Sequence, residues 1–446
     1  MRSFLALVAT SALALAFAAC GDTVNPIDPS NDGGALPEGG NQAGPSGLPC
    51  DVDKVLATNC RQCHASPPQF GAPMPLVTHA DLTASSPKDA SKKVYEAVAQ
   101  RIADDADPMP PSPNARVSAA DRATFDAWVA AGAPSSAETC NSTTKPDVPK
   151  LDCTPDTPVA PATPWTMPRD TGDEYVCYGV ELTSATPKHV TGFAPRIDNA
   201  KIVHHIVLFE ADQAYSSTPT PCDSGGSLQW RMVMGWAPGG KGLEMPAEAG
   251  FPIKTTGATH YVVQMHYSNP SALEGETDTS GFDLCTGPPR QYEADVLAFG
   301  TQSINIPPNI PPPSIHETSC SITIQSVAGL QFAGMHLFAS MPHMHKRGFE
   351  METTLTSGGV TTDLGTVTNW SFDTQSWLQI GGGSGVVTKN GDVIKTRCAW
   401  KNTTSQNVRY GEKTEDEMCY SFTLYYPKIK SGLWSWAIPA GASTCQ

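Results

Sequence analysis

Apolar positions change their spacing twice along this chain, and each change marks a boundary. Behind Met1-Arg2-Ser3, the unbroken apolar run Phe4 to Ala19 has the positive start and short hydrophobic stretch of an export signal, so residues 1–19 are expected to be removed. Residues 20–46 are rich in Gly, Pro, Asn and Asp with little to bury, and read as a flexible tether. From 47 to 140 the period is helical. Ser91 stands as a cap before Val94, Tyr95 and Val98; Ser118 and Asp121 bracket the start of a second helix whose apolar face is Phe125, Trp128 and Val129, with Gly132 and Pro134 ending it. Prolines 146, 149, 155, 158, 161, 164 and 168 make 141–170 a semi-rigid linker. Beyond it the runs are short, alternating or β-branched, as in Tyr261 to Met265, Met351 to Leu355 and Ser421 to Tyr426, separated by Gly and Pro clusters. The proline cluster between Asn305 and Pro313 divides this β region into 171–304 and 305–446.

Composition narrows the setting. With 446 residues, 39% apolar and 16% charged, the chain can build two or three globular domains. A net charge of −15 argues against nucleic acid or an anionic membrane surface as partner. No later segment has the apolar length of a membrane span, so membrane attachment rests on Cys20 alone. Phe17-Ala18-Ala19-Cys20 resembles a bacterial lipobox, whose cysteine is lipidated; the alternative is an ordinary small-residue cleavage site. The expected location is the bacterial cell envelope, facing the periplasm or the cell surface. Thirteen cysteines in an exported chain imply disulfides. Setting aside Cys20, Cys60 and Cys63 leaves an even number, whose pairing the sequence alone does not assign.

Cys60-Arg61-Gln62-Cys63-His64 is a c-type haem attachment sequence: two thiols form thioethers to one covalently attached haem, and the adjacent imidazole ligates its iron. The second axial ligand is sought among Met74, His79 and Met109. Met109 is preferred, because Pro108 and Pro110-Pro111 hold it in a loop before the last helix. This stretch resembles small single-haem cytochrome c domains of bacterial envelope proteins, in which Met-Pro-Pro and a closing Trp-x-x-x-Gly-Ala-Pro recur, here Trp128 to Pro134.

The β region carries the second candidate chemistry: His204-His205, His266 in Gln-Met-His-Tyr, His343-Met344-His345, and Met418 in Asp-Glu-Met-Cys. Imidazole suits copper and a thioether favours its reduced form, so these groups could hold two copper ions. On a regular strand His343 and His345 would share a face, whereas His204 and His205 would face oppositely, so joint ligation would need a bulge or a metal at the strand edge. Each fragment alone is weak, since isolated histidines more often serve structure.

Together the fragments resemble the copper type II ascorbate-dependent monooxygenases. The matching blocks are Tyr175-Val176-Cys177, His204 to Phe209, Gly235 to Gly239, Gln264 to Tyr267, His336 to Ala339 with His343 to His345, Arg397-Cys398 and Asp416 to Cys419. The resemblance implies an α plus β protein: a small α-helical cytochrome c domain followed by two antiparallel, jelly-roll-like β-sandwiches facing across a copper-lined cleft. It implies that His204, His205 and His266 hold an electron-transfer copper, and that His343, His345 and Met418 hold the copper where dioxygen and a small-molecule substrate react. It also implies disulfides Cys398 with Cys419, Cys177 with Cys285 and Cys320 with Cys445, and places His336 and Gln264 near the coppers. Peptide-processing members carry an arginine where this chain has Met341, and a family tyrosine is replaced by Phe422, so a more apolar, carboxylate-free substrate is expected. Electrons would come from ascorbate or a periplasmic redox protein, with the haem as relay. Other readings stay open: a non-catalytic haem and copper electron carrier, a copper store or sensor, and a β-sandwich binding module with structural histidines and stacking surfaces on Trp370, Trp377, Trp434 and Trp436.

Overall fold

The computed structural model describes residues 46–445 apart from 71, 106–107, 112–113, 143–150, 169–172, 224–229, 270–271, 309–313, 328, 373, 412, 414 and 430–442. The export run, Cys20 and the tether to residue 45 lie outside the described residues, as do Trp434 and Trp436. Among the described residues no helix is long and apolar enough to cross a membrane.

Four helices come first: α1 (Cys50–Asn59), α2 (His79–Thr83), α3 (Val94–Ala103) and α4 (Ala119–Ala130). Val52, Val55 and Leu56 of α1, Val98 and Ile102 of α3, and Phe125 and Trp128 of α4 repeat at helical spacing and meet in one core. The hydroxyl of Ser118 accepts from the Asp121 amide at 3.1 Å, capping α4. Ser91 does not cap α3. The helix starts later, with Lys93 at its cap and the Glu96 carboxylate accepting from the Lys93 amide at 2.7 Å, while Ser91 turns to Asp89. A Cys50–Cys140 disulfide ties the start of this unit to its end.

The rest is two β-sandwiches. In the first, a five-stranded sheet in the order 220–221, 173–182, 259–268, 203–211, 230–236 packs on a six-stranded sheet centred on 188–196 and 281–287. Val176, Tyr178, Ile206, Leu208, Val263, Met265 and Phe282 fill the space between them. In the second, the sheet containing 336–343, 420–426 and 295–301 packs on the sheet 316–323, 393–400, 348–357, 360–367. Phe338, Ala339, Leu424 and Tyr426 of the second sandwich join the core cluster of the first, so the two share an apolar contact.

Two boundaries differ from the sequence expectation. Residues 151–168 of the expected linker are folded into the first sandwich: 157–159 pairs with 282–284, Cys153 bonds Cys285, and Val159 and Met167 are buried. The isolated apolar residues between prolines are edge-strand positions that the proline spacing obscures. The divide between sandwiches also falls earlier than 305, because 295–301 already pairs with 420–426 while 292–293 still pairs with 249–250. Asn305–Ile306, at the start of that cluster, already pairs with Val408–Arg409 of the second sandwich, and residues 309–313 lie outside the described residues.

Candidate metal centres

Alternation along the five-stranded sheet sets the first site. Val263, Met265 and Tyr267 point into the sandwich core, which leaves Gln264 and His266 on the opposite face. On the neighbouring strand His205 lies across from His266, but Tyr267 lies across from Val203, so His204 is one extra residue in the pairing. That bulge lets both histidines of the pair reach one point. The three Nδ1 atoms stand 3.2–3.3 Å apart pairwise. Three ring nitrogens cannot all donate to one another at such distances, and converging imidazole lone pairs are the donor set a metal ion would take. The site fits a metal ion.

The surroundings fix these rings. His266 directs Nε2 to the Asp173 carboxylate at 2.9 Å, which leaves Nδ1 as its lone-pair atom. Tyr175 stacks on the His266 ring with centroids 4.4 Å apart and planes 6° apart. Burial, reinforced by the neighbouring imidazoles, holds His205 neutral well below its ordinary value. Neutral imidazole is the form that ligates metal.

The second set sits on the facing sandwich. His343 ends the strand His336–His343, whereas Met344 and His345 lie beyond it, so the two histidines do not share one strand face as spacing suggested. Their ring centroids are nonetheless 5.3 Å apart, with Met344 fully buried behind them. His343 turns Nδ1 to the Gln375 amide oxygen at 2.7 Å and His345 turns Nδ1 to the Asp416 carbonyl at 3.1 Å. Burial, with His345 alongside, pushes His343 down to about 3. The buried carboxylate of Glu417 accepts from the His345 amide at 2.9 Å, the Arg347 amide at 2.6 Å and the Trp400 indole at 3.0 Å. It thereby clamps the segment bearing Met418 to the segment bearing His345. Burial pushes this carboxyl up to about 7 despite those donors. Two imidazoles and one thioether suit copper in its reduced state.

Both sets open on one cleft of about 280 Å³, with His205, His343, His345 and Met418 all in its wall. The Phe372 ring lies between them, its centroid 6.2 Å from His204, 6.2 Å from His205 and 6.0 Å from His345. Sequence reasoning missed Phe372, Gln375 and Asp173. Nothing near them in sequence is a ligand, and only long-range contact brings them to the site.

His336 and Gln264 part company. Gln264 lines the cleft and donates to the Asp223 carbonyl at 2.9 Å, but His336 is engaged by Tyr426 and the Ser384 carbonyl and is not in the cleft wall. Cys398–Cys419 and Cys320–Cys445 are bonded. Cys177 with Cys285 is not: Cys177 bonds Cys222, and Cys285 bonds Cys153. The reason is facial. Val176 and Tyr178 point into the core, so Cys177 points out of the other face of its sheet, while Cys285 belongs to the opposite sheet.

In the helical unit Cys60 and Cys63 are free thiols on the turn closing α1, and the Cys63 and His64 amides both donate to the Cys60 carbonyl at 3.2 and 3.0 Å. His64 has Nδ1 2.8 Å from the Met74 carbonyl, which leaves Nε2 for an iron. Arg61, inside the motif, is an anchor: it pairs with buried Asp53 at 2.6 Å and donates to the Leu76 carbonyl at 2.9 Å. Burial raises the Asp53 carboxyl, but its hydrogen bonds and Arg61 outweigh this and hold it below its ordinary value. Met74 packs on the helical core, and His79 turns Nε2 to the Ala133 carbonyl at 2.9 Å. Met109 is half-buried in the loop after α3, its amide donating to the Arg101 carbonyl at 3.0 Å.

The two sandwiches bring a three-histidine set and a two-histidine, one-methionine set to one cleft, ligand types that suit copper. Models of the copper type II ascorbate-dependent monooxygenases match the chain in both halves, the N-terminal domain over residues 162–274 and the C-terminal domain over 292–439. The chain belongs to that family. Dopamine beta-hydroxylase of Bos taurus is 28% identical over 292 residues, covering 60% of this chain and 46% of that protein. DBH-like monooxygenase protein 1 of Gallus gallus is 28% identical over 262 residues, and tyramine beta-hydroxylase of Caenorhabditis briggsae 29% over 253; each covers 54% of this chain and 42% of the relative. The chain thus spans less than half the length of these relatives. Among solved structures, the major capsid protein of bacteriophage PM2 overlays with a TM-score of 0.27 at 8% identity, covering 59% of this chain and 99% of that one, too low to argue from.

Proposed function

We propose that this chain is an exported copper monooxygenase that converts a C–H bond of a small substrate to C–OH. The observation that carries the reading is the shared cleft: two different ligand sets face one cavity of about 280 Å³, with a single aromatic ring between them. Copper held by His343, His345 and Met418 would supply dioxygen reduction, and copper held by His204, His205 and His266 would supply electrons to it. The chain's own residues do the rest. Asp173 and Gln375 orient one imidazole in each set, Glu417 fixes the spacing of His345 and Met418, and the apolar wall keeps water from the reacting C–H. A carrier or storage protein has no use for a substrate-sized cavity between its metal sites.

Two electrons must come from outside, from ascorbate or a periplasmic redox protein. We assign a relay role to a covalently attached haem at Cys60, Cys63 and His64, with Met109 as second iron ligand. In support, the helical unit abuts the cleft wall. The Gln69 amide donates to the Cys63 carbonyl at 2.8 Å, the Phe70 amide to the Ala200 carbonyl at 2.6 Å, and the Phe70 ring meets Trp236 edge-on at 6.0 Å. Trp236 lines the cleft and pairs across the sheet with Ile206, the neighbour of His205. Five disulfides suit an oxidising compartment. Lipidation at Cys20 would tether the protein to a bacterial envelope.

The test is metal analysis of the purified soluble protein beside Met418→Ala. About two coppers and one covalent haem per chain, one copper weakened by the variant, is the expected result; haem without copper under copper-replete conditions would retire the monooxygenase reading. For the relay, Met109→Ala should slow haem-driven turnover and spare turnover driven by a chemical reductant. Equal loss in both assays would refute it.

A further inference from the structure

Among the described residues, no side chain of formal charge lines the cleft. None of the described lining residues is an Asp, Glu, Lys or Arg, and Ile206, Met232, Trp236, Met341, Phe372 and Phe422 are among its apolar side chains. The charges nearest the cleft are spent elsewhere. Arg231, behind the wall, is buried between Glu210 and Asp295, and Asp173 is engaged by His266. Glu417 is consumed by its three donors.

Several polar wall groups are occupied in the same way. Gln375 gives its oxygen to His343 and its nitrogen to the Phe372 carbonyl at 3.0 Å; the Gln264 nitrogen goes to Asp223, and the Trp236 indole to the Gly240 carbonyl at 3.0 Å. A ligand ammonium entering this space would lose its water and find no described side chain of opposite charge, and a carboxylate would have only ions held by the two ligand sets to turn to. Volume sets the second limit. About 280 Å³ stands at the lower edge of the roughly 300–1,000 Å³ usual for small-molecule sites.

We infer that the substrate is a small, neutral, mainly hydrocarbon molecule, and that arylalkylamines and peptide carboxylates are excluded by the wall. This deepens the monooxygenase reading and rests on it for the word substrate. Met341 and Phe422 are the specificity-determining side chains. Met341 stands two residues before His343, and the Phe422 ring lies 5.7 Å from that of His343, so both meet whatever approaches the second ligand set.

The experiment uses the full protein and three ligands with one skeleton: propylbenzene, 3-phenylpropylammonium and 3-phenylpropanoate. Binding is measured by calorimetry, with copper content determined on the same preparation. Propylbenzene should bind at least about 100-fold more tightly than either ion, the scale on which a site lacking the partner group discriminates. Equal or tighter binding of either ion would overturn the inference. Met341→Arg should shift preference toward the carboxylate by tenfold or more. Should that variant fail to fold, Phe422→Tyr, close to the same volume, should weaken propylbenzene several-fold. No change in a folded variant would place the ligand outside the cleft and overturn the proposal. The two readings fail separately: neutral preference in a protein that takes no copper supports the neutral cleft and retires the monooxygenase, whereas two coppers with an ion preferred overturn the inference alone.

Discussion

The two ligand sets face the same cleft but are held by different means. His204, His205 and His266 lie on adjacent hydrogen-bonded strands, and a bulge in one pairing is enough to converge their Nδ1 atoms. His343, His345 and Met418 come from a strand end, the turn after it and a segment some seventy residues on; side chains and a disulfide join them. Sheet register positions all of the first set; in the second it places His343, opposite Tyr420, while cross-links between loops hold His345 and Met418. A site held by backbone ladders resists change, while one held by side chains can be loosened singly. That contrast suits a fixed electron donor facing a centre that must admit dioxygen and substrate.

The largest effect should come from Glu417→Ala. It strands three buried donors and costs about 3–5 kcal/mol, and it frees His345 from Met418. Metal analysis should then find one copper lost and the other retained; loss of both, or of neither, would sink the distinction. A paired disulfide experiment comes next. Cys398 and Cys419 are separated by 21 residues and Cys177 and Cys222 by 45, so removing either bridge should cost ~3–4 kcal/mol in a loop-entropy account. Only the first adjoins a ligand, Met418. Serine substitution of Cys398 with Cys419 should weaken copper at the second set about tenfold or more, on the scale of lost outer-sphere support. The Cys177 and Cys222 double variant should lower thermal stability and leave copper affinity at the first set within about threefold, because its strands stay paired.

How much of this could be read beforehand follows the same line. That the histidines and Met418 come to one cleft was legible because these residue types recur in a recognisable order, and of the two ways for His204 and His205 to meet, a bulge or a metal at the strand edge, the structure has the bulge. The α4 start was legible because Ser118 and Asp121 act locally. What failed depended on three-dimensional neighbours. Val159 and Met167 sit among prolines and show no period, yet each is buried because the first sandwich closes over it. Cys177 was assigned a partner without its facing being known, and alternation about Val176 and Tyr178 turns it away from Cys285. Phe372 and Gln375 reach the cleft only because their loop folds back over the site, which no local pattern encodes.

Gln375→Leu and Asp173→Asn give the finest comparison, since each residue orients one imidazole. Gln375 lies in the cleft wall and fixes Nδ1 of His343 from 2.7 Å, so its loss should weaken copper at the second set within the 10–100-fold range of such partners. Asp173 differs in two respects. Its side chain is 62% exposed, so water replaces part of what it supplies, and asparagine can still accept from Nε2 of His266. Tyr175 also keeps the His266 ring stacked in place, and the strand pairing keeps His205 opposite it. Competition titration of Asp173→Asn should therefore show copper at the first set weakened by no more than about tenfold. A loss above that of Gln375→Leu would mean that the carboxylate, and not the sheet, holds the first site together.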